Sequence, residues 1–312
     1  MTTVYVVPCG TSVLDDLGGK LHGGGSRVGA FVREVEKGAW LSGTSPDKAE
    51  SVLSAWTAKA APKASAAALQ NNKVPKRLSA ETHSLATHAK LPGLAPGDRV
   101  VLLASDTDRG LSAAFCVAHY LARGVCTQLS YTSTPEKVTD PFRLPTGQQA
   151  VTVVRIRGLA PGVTDFSGAV AGIGKVLRAV WDTDATVEVH LTGGFKATLL
   201  HTLAMSEVLH SLAPNRLSAL YVFDEDPDTK SDKSDQPIAP VSIGLRAFSA
   251  EHIELMQSEL DGALHNHKTG SRTFEGVGWS RKADGTRNLT DFGYGYLAIL
   301  GKLSASLGDD NQ

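Results

Sequence analysis

Two glycines and a lysine, at the point where an apolar run gives way to a helical pattern, have the right chemistry to bind an anion. The segment at residues 187–210 passes from a predicted strand through Thr192-Gly193-Gly194-Phe195-Lys196 into a predicted helix. Glycines let a ligand approach the backbone closely because they carry no Cβ atom. The helix start offers free N–H groups and a positive dipole end, and Lys196 adds a full charge. The stretch therefore predicts a site for a phosphate or another anion.

Two further polar stretches also follow predicted strands. Cys9-Gly10-Thr11-Ser12 comes after an apolar run, and Ser105-Asp106-Thr107-Asp108-Arg109-Gly110 comes after the run VVLLA. Gly10 and the two hydroxyls that follow it suit a phosphate or the hydroxyls of a ribose. Asp106 is interpreted as a partner for ribose or adenine. With Asp108 it could instead hold a metal, for which two carboxylates in one loop are weak evidence.

Each of these stretches also has a plainer interpretation. A Gly-Gly pair after a strand is often only a tight turn, and TGGFK matches neither a Walker A loop nor a dinucleotide fingerprint. The occurrence of three such stretches at strand ends favours a ligand site. His265-Asn266-His267 could be half of a metal site, but no Cys or His cluster lies nearby in the sequence, and we interpret these histidines as solvated.

Strands that alternate with helices position the three stretches. This alternation predicts a parallel, doubly wound α/β sheet. In such a sheet, ligands bind beyond the carboxyl ends of the strands, near the point where the strand order reverses. The predicted strands are 4–7, 100–104, 126–131, 151–156, 186–191, 217–223 and 238–243, and the predicted helices are 110–123, 164–181 and 196–212, with two or three more within 27–90.

The character of the chain changes after about residue 247. Residues 249–265 predict a helix, a turn-rich link follows, and residues 289–303 predict a final helix capped by Thr290 or Asp291. We therefore expect a ligand-binding domain at 1–246 and a small C-terminal element at 247–312 that serves as a lid or in dimerisation. Its aromatic residues are expected to pack rather than to stack on a ligand; they are Trp279, Tyr294 and Tyr296.

Composition excludes several classes of protein. The 312 residues are 42% apolar and 20% charged, as in an ordinary soluble globular protein. A net charge of −1 gives no indication of a duplex-DNA binder or a polybasic membrane protein. Cys9, Cys116 and Cys126 are an odd number without CxxC spacing, which fits a reducing cytoplasm. No apolar window reaches about 18 residues and no leader is evident, so we expect a cytoplasmic protein without a membrane partner.

Four motifs in this order resemble the CARF domains of type III CRISPR systems, and most closely the stand-alone ring nucleases among them. TGGFKA in this position is fairly specific, whereas GTS and LSAE are weak individually. The strand PIAPVSIGL resembles the end of those domains, so the resemblance covers roughly residues 1–245. The motifs are GTS at 10–12, LSAET at 78–82, SDT at 105–107 and TGGFKA at 192–197.

This resemblance implies a fold, a ligand and a reaction. CARF domains are Rossmann-like, with a mainly parallel sheet flanked by helices, and their symmetric homodimers bind cyclic oligoadenylate across the interface. The resemblance implies cleavage of cyclic tetra-adenylate without metal or cofactor, by attack of a ribose 2′-hydroxyl on the neighbouring phosphate. Ser12 and Lys196 are then the expected catalytic residues, with Thr11 next. The expected ligand contacts are Gly10, Ser105, Asp106, Thr107, Arg109, Thr192, Gly193, Gly194 and Phe195.

Other functions stay open at this point. Many CARF proteins carry a C-terminal HEPN ribonuclease with an Arg-x4–6-His motif; Arg77 and His83 fit that spacing but lie in the LSAE segment, and the tail has no such motif. The alternative is a non-catalytic CARF sensor or transcription regulator with a winged-helix tail, although no basic recognition helix is visible. A third possibility is a nucleotide-binding α/β domain of unrelated role. A ring of six adenylates stays open as an alternative to a ring of four.

Overall fold

A mostly parallel sheet of seven strands forms the centre of the computed structural model. Its strands are β1 (Thr3–Pro8), β2 (Arg99–Ala104), β3 (Leu129–Ser133), β4 (Val151–Arg155), β5 (Thr186–His190), β6 (Leu217–Tyr221) and β7 (Val241–Ile243). The structure describes residues 2–11, 79–88, 97–122, 128–145, 150–194, 196–221, 240–268 and 270–303.

The order of the strands places a topological switch point in the middle of the sheet. The order is β3-β4-β2-β1-β5-β6-β7, in which only β7 runs antiparallel to its neighbour. Val6 of β1 pairs with Val101 of β2 on one side and with Val189 of β5 on the other. The chain leaves β1 toward β2 and returns on the opposite side at β5, so the switch point lies between β1 and β5. The predicted α/β class with a mainly parallel sheet is confirmed.

Helices cover both faces of the sheet, since successive strand residues point to opposite faces. Tyr5 and Val7 join the core with α1 (Ala80–His88) and α2 (Asp108–Leu121). Val4 and Val6 join the core on the opposite face, with α3 (Ser167–Trp181) and α4 (Lys196–Leu212). Strands buried on both faces require continuous apolar runs, which explains sequences such as VYVV and VVLLA.

The C-terminal residues pack onto the face that α3 and α4 cover. They form α5 (Ala250–Leu264), a hairpin of β8 (Trp279–Arg281) and β9 (Arg287–Leu289), and α6 (Asp291–Ile299). Side chains of α5 and α6 belong to the same buried cluster as Val4 and Val6. The structure therefore does not confirm a separate appendage, and the domain boundary at residue 246 stays a prediction.

Two glycines let α6 lie close to the helices beneath it. A Cβ atom on Gly295 would lie 2.2 Å from Cε of Met205 in α4 and 2.8 Å from Cγ1 of Val170 in α3. A Cβ atom on Gly174 of α3 would lie 2.6 Å from the carbonyl oxygen of Gly295. The GYG sequence in α6 is thus explained by the short distance between helices.

The predicted turn-rich link contains a hairpin that is held by buried polar residues. The indole Nε1–H of Trp279 donates to Oε2 of Glu259 at 2.9 Å, and the Arg287 guanidinium lies 4.1 Å from the Trp279 ring centroid. All three residues are buried. Burial raises the pKa of Glu259, but hydrogen bonds from Ser271, Trp279 and two backbone N–H groups outweigh it and lower the pKa overall.

Several predicted bounds need correction. The third strand is Leu129–Ser133 instead of 126–131, and the final helix is Asp291–Ile299 instead of 289–303. Thr290 caps that helix as predicted, since its Oγ1 accepts from the Gly293 N–H at 3.2 Å. The expected packing of aromatic residues is confirmed for Trp279 and Tyr296, which are buried, and Tyr294 packs partly buried against the core. Two or three helices were predicted within 27–90; α1 lies in that range, and the rest of it, apart from Ser79, is outside the described residues, as is the polar loop at 224–237.

Candidate functional site

The first and third polar stretches meet at the switch point. Gly10 follows β1 and Gly194 follows β5, and a Cβ atom on Gly10 would lie 3.1 Å from the Gly194 nitrogen. Gly194 has a φ of +100°, and a Cβ atom there would lie 2.9 Å from Cβ of Pro8. The close approach of the two backbones leaves little room for a side chain at Gly10, and at Gly194 the contact and the left-handed conformation both require glycine.

Glu81 of α1 lies between these two stretches. Its Oε1 accepts a hydrogen bond from the Gly10 N–H at 2.7 Å. A Cβ atom on Gly193 would lie 2.1 Å from the same oxygen, so the carboxyl group rests directly against the Gly193 backbone. Glu81 has 0% exposure. Residues of GTS, LSAET and TGGFKA, which are far apart in the sequence, are thus in contact.

Lys196 begins the 17-residue helix α4, and its side chain is exposed. Thr11 lies half-buried beside Gly10. The free N–H groups of the first turn of α4, its dipole and the Lys196 ammonium all favour an anion beyond the carboxyl ends of β1 and β5. Ser12 and Phe195, which were also expected at the site, lie outside the described residues.

A chain of polar groups, with Ser84 and His190 fully buried at its centre, supports the end of β5. The Thr192 hydroxyl donates to Oγ of Ser84 at 3.2 Å, and Ser84 Oγ lies 2.6 Å from Nδ1 of His190. His190 Nε2 lies 2.7 Å from Oε1 of Glu188. A donor chain from Thr192 to Ser84 to Nδ1 leaves the proton of His190 on Nε2, facing the Glu188 carboxylate. Thr192 is therefore connected to α1 through Ser84.

Sequence reasoning missed most of this support. The local pattern of α1 carries no sign that Glu81 and Ser84 contact residues about a hundred positions away. The alternation in TVEVH does place Glu188 and His190 on one face of β5, which is the signal that could have linked them.

The second polar stretch forms the start of α2. Thr107 Oγ1 accepts from the Gly110 N–H at 3.0 Å and lies 3.1 Å from Oγ of Ser105. A Cβ atom on Gly110 would lie 1.8 Å from that Ser105 oxygen, so any larger residue there would displace the serine hydroxyl. Ser105 and Thr107 thus act in capping the helix, and Arg109 is exposed in its first turn. Their expected ligand contacts stay predictions.

Asp106 joins the ends of β2 and β4. One carboxylate oxygen forms an ion pair with Arg155 Nε, and the other accepts from the Gly158 N–H at 2.8 Å. Burial lowers the pKa of Arg155, but the hydrogen bond and charge of Asp106 outweigh it and raise the pKa overall. Within the described residues, no group of three or more His, Cys, Asp or Glu side chains could hold a metal ion.

The same edge of the sheet continues into an open cleft of about 440 Å³ beyond the ends of β3 and β4. Thr132, Ser133 and Phe142 line it together with Arg143 and Arg157. The sequence did not predict this cleft. It extends the ligand-accessible edge away from Lys196 by roughly three strand spacings, or about 14 Å.

No protein-family model matches this chain, and no curated protein matches it. No helix in the described part of the chain is long and apolar enough to cross a membrane.

Proposed function

We propose that this protein is a CARF-type ring nuclease whose homodimer binds cyclic tetra-adenylate and cleaves it, which would end a type III CRISPR signal. One observation carries the proposal: three of the four motifs behind the resemblance converge at the switch point. Glu81 of LSAET bonds to Gly10 of GTS and packs on Gly193 of TGGFKA. An edge with glycine-lined loops, a helix start and a lysine suits a phosphodiester.

The proposed reaction uses a nucleophile from the ligand itself. A ribose 2′-oxygen forms a bond to the adjacent phosphorus while the bond from phosphorus to the 5′-oxygen breaks. The 2′-hydroxyl proton passes to solvent, and the leaving 5′-oxygen takes a proton from solvent. The products are a 2′,3′-cyclic phosphate and a 5′-hydroxyl. Lys196 and the N–H groups at the start of α4 stabilise the additional negative charge on the phosphorane, while the loops hold the attack geometry.

An exposed leucine lies beside the candidate site. Leu200 lies one helical turn after Lys196 and is 66% exposed. A second subunit at this edge would cover it. A ring of four adenylates can share a two-fold axis with two subunits, so that each subunit contacts half of the ring.

Incubation of the purified protein with cyclic tetra-adenylate in EDTA, followed by chromatography, tests this proposal. We expect linear products with a 2′,3′-cyclic phosphate. Lys196→Ala should lower the cleavage rate by about 10²–10³-fold, the usual effect of removing one group that stabilises the charge of a transition state. Lys302→Ala is the matched control, because Lys302 is an exposed lysine that follows the C-terminal end of α6 and belongs to none of the three polar stretches.

The outcomes separate the alternatives. Ligand that stays intact after long incubation with excess protein rules out the nuclease. Tight binding without cleavage would instead identify the sensor or regulator. A protein that binds a mononucleotide but no cyclic oligoadenylate would be a nucleotide-binding domain of another kind.

A further inference from the structure

Helix α1 contacts both strand ends of the candidate site through two side chains on one of its faces. Glu81 and Ser84 are three residues apart, which places them on the same side of a helix. Glu81 contacts Gly10 and Gly193, and Ser84 contacts His190 and the Thr192 hydroxyl. Both side chains have 0% exposure. Apart from backbone pairing, these contacts connect the end of β1 to the end of β5.

Burial of the Glu81 carboxyl group is costly and therefore calls for an explanation. Only its Oε1 has a hydrogen-bond donor, and Oε2 has none among the described residues. A buried carboxyl group that lacks a full set of partners destabilises a fold. If this position of α1 served only for packing, an apolar residue there would avoid the cost of burying a carboxyl group. The hydrogen bond to the Gly10 N–H is the only described polar contact that the glutamate gains in return.

The surroundings of Oε1 leave little room for movement. Gly193 is buried, and any side chain on it would overlap the carboxyl group, since a Cβ atom would lie 2.5 Å from Cδ and 2.8 Å from Cγ of Glu81. A Cβ atom on Gly10 would lie 3.3 Å from Oε1. The carboxyl group is thus fitted between the two backbones.

We propose that Glu81 is a positioning residue: its Oε1 fixes Gly10 and Gly193 at one spacing, so that Thr11 and Lys196 act on the same phosphate. This inference rests on the proposed function. It assigns Glu81 no proton transfer, because the required atom is the acceptor Oε1. The amide oxygen of glutamine, on a side chain of the same length, can replace that acceptor. The shorter side chain of aspartate cannot reach the Gly10 N–H.

Three substitutions test this inference through turnover. Glu81→Gln keeps an oxygen acceptor at the same reach and should cleave cyclic tetra-adenylate within about threefold of wild type. Glu81→Asp and Glu81→Ala should lower kcat by about 10–100-fold, since a misplacement of about 1 Å can cost 10²-fold in rate. Equal losses for Glu81→Gln and Glu81→Ala would overturn the proposal, because the charge would then be needed and not the spacing. Thermal unfolding shows whether each variant is folded. If Glu81→Ala does not fold, the comparison is made with Glu81→Asp instead.

Amide hydrogen exchange without ligand tests the spacing separately from the reaction. Peptides that contain Gly10 and Gly193 should exchange faster in Glu81→Ala and Glu81→Asp than in wild type, and at the wild-type rate in Glu81→Gln. If wild type cleaves no cyclic oligoadenylate but this exchange pattern appears, the proposed function fails while the contact role of Glu81 stands. Unchanged exchange at both peptides in Glu81→Ala would overturn the positioning role itself.

Discussion

Position 194 has two structural requirements that only glycine satisfies. Its φ of +100° is unfavourable for any L-residue with a side chain, and a Cβ atom would lie 2.9 Å from Cβ of Pro8. Gly194→Ala should therefore push the end of β5 away from β1. We expect a loss of about 1–3 kcal/mol in the free energy of unfolding, as for other strained or overpacked substitutions.

The same variant should bind cyclic tetra-adenylate at least about tenfold more weakly, which corresponds to 1.4 kcal/mol. Urea unfolding and titration calorimetry measure the two effects. Gly244→Ala is the control, because a Cβ atom there meets no atom within 4 Å. If Gly194→Ala binds cyclic tetra-adenylate with wild-type affinity, ligand binding does not depend on the conformation of this loop.

Residue by residue, the sequence predicted the parts of the site that are local. TGGFK and Gly10 could be assigned from strand ends, glycines and a lysine that are neighbours in the chain. Glu81 and Ser84 could not, because their partners are distant in the sequence and their own helix has no distinctive pattern. Asp106 has protein partners in Arg155 and Gly158, which become neighbours only when β2 and β4 pair.

At the scale of elements, the contact between α6 and α3 depends on small residues. Gly174→Ala places a Cβ atom 2.6 Å from the Gly295 carbonyl oxygen, and Gly295→Ala places one 2.2 Å from Cε of Met205. Each should destabilise the protein by about 1–3 kcal/mol through overpacking. The long, unbranched Met205 side chain can move more easily than a backbone carbonyl, so Gly174→Ala should be the worse of the two.

The control for both variants is Gly168, which lies in α3, the helix that also contains Gly174. A Cβ atom on Gly168 meets nothing within 4 Å, and alanine favours a helix over glycine. Gly168→Ala should be neutral or stabilising by up to about 1 kcal/mol. Denaturant unfolding of the three variants measures the differences, and equal stability for all three would contradict the close packing of α6.

His201 gives the contact between α4 and α6 a dependence on pH. Its ring lies 4.4 Å from that of Phe292, and burial lowers the pKa of His201 although the charge of Asp291 opposes this. Because the unfolded chain holds this proton more tightly, stability should decrease as the pH falls below the ordinary histidine pKa of about 6.5. The decrease should continue until the pH reaches the lowered pKa of the folded state.

Urea unfolding at pH 7.5 and at pH 5.5 measures this effect. His201→Gln should lose less stability between the two pH values than wild type, since glutamine does not titrate. An identical loss in both proteins would assign the pH dependence to other groups.

The elements that sequence patterns located best are those with long periodic runs. Helix α4 has the bounds that were predicted, 196–212, because its apolar spacing and the glycines before it are clear. The hairpin of β8 and β9 was missed because each strand has only three residues. It is held by Glu259, Trp279 and Arg287, whose contacts span helix, loop and strand, and no local pattern displays them.

At the scale of the whole molecule, the proposed homodimer makes a prediction about Leu200. Leu200→Glu should convert the dimer into a monomer and lower the cleavage rate, because a charged residue would be buried in the interface. Leu212→Glu is the matched control: Leu212 is 47% exposed on the same helix but lies at the end away from Lys196. Light scattering coupled to size-exclusion chromatography gives the masses. A wild-type monomer in the presence of cyclic tetra-adenylate would contradict the dimer.

The position of α6 also bears on how the chain is made in the cell. The side of α3 and α4 that faces away from the sheet is covered by α6, whose Leu297 and Ile299 are synthesised nearly three hundred residues after β1. During translation this apolar surface stays exposed until those residues emerge from the ribosome. Nascent chains that expose apolar surface aggregate readily. Production at low temperature or with a chaperone that shields apolar surface should therefore raise the soluble yield of this protein.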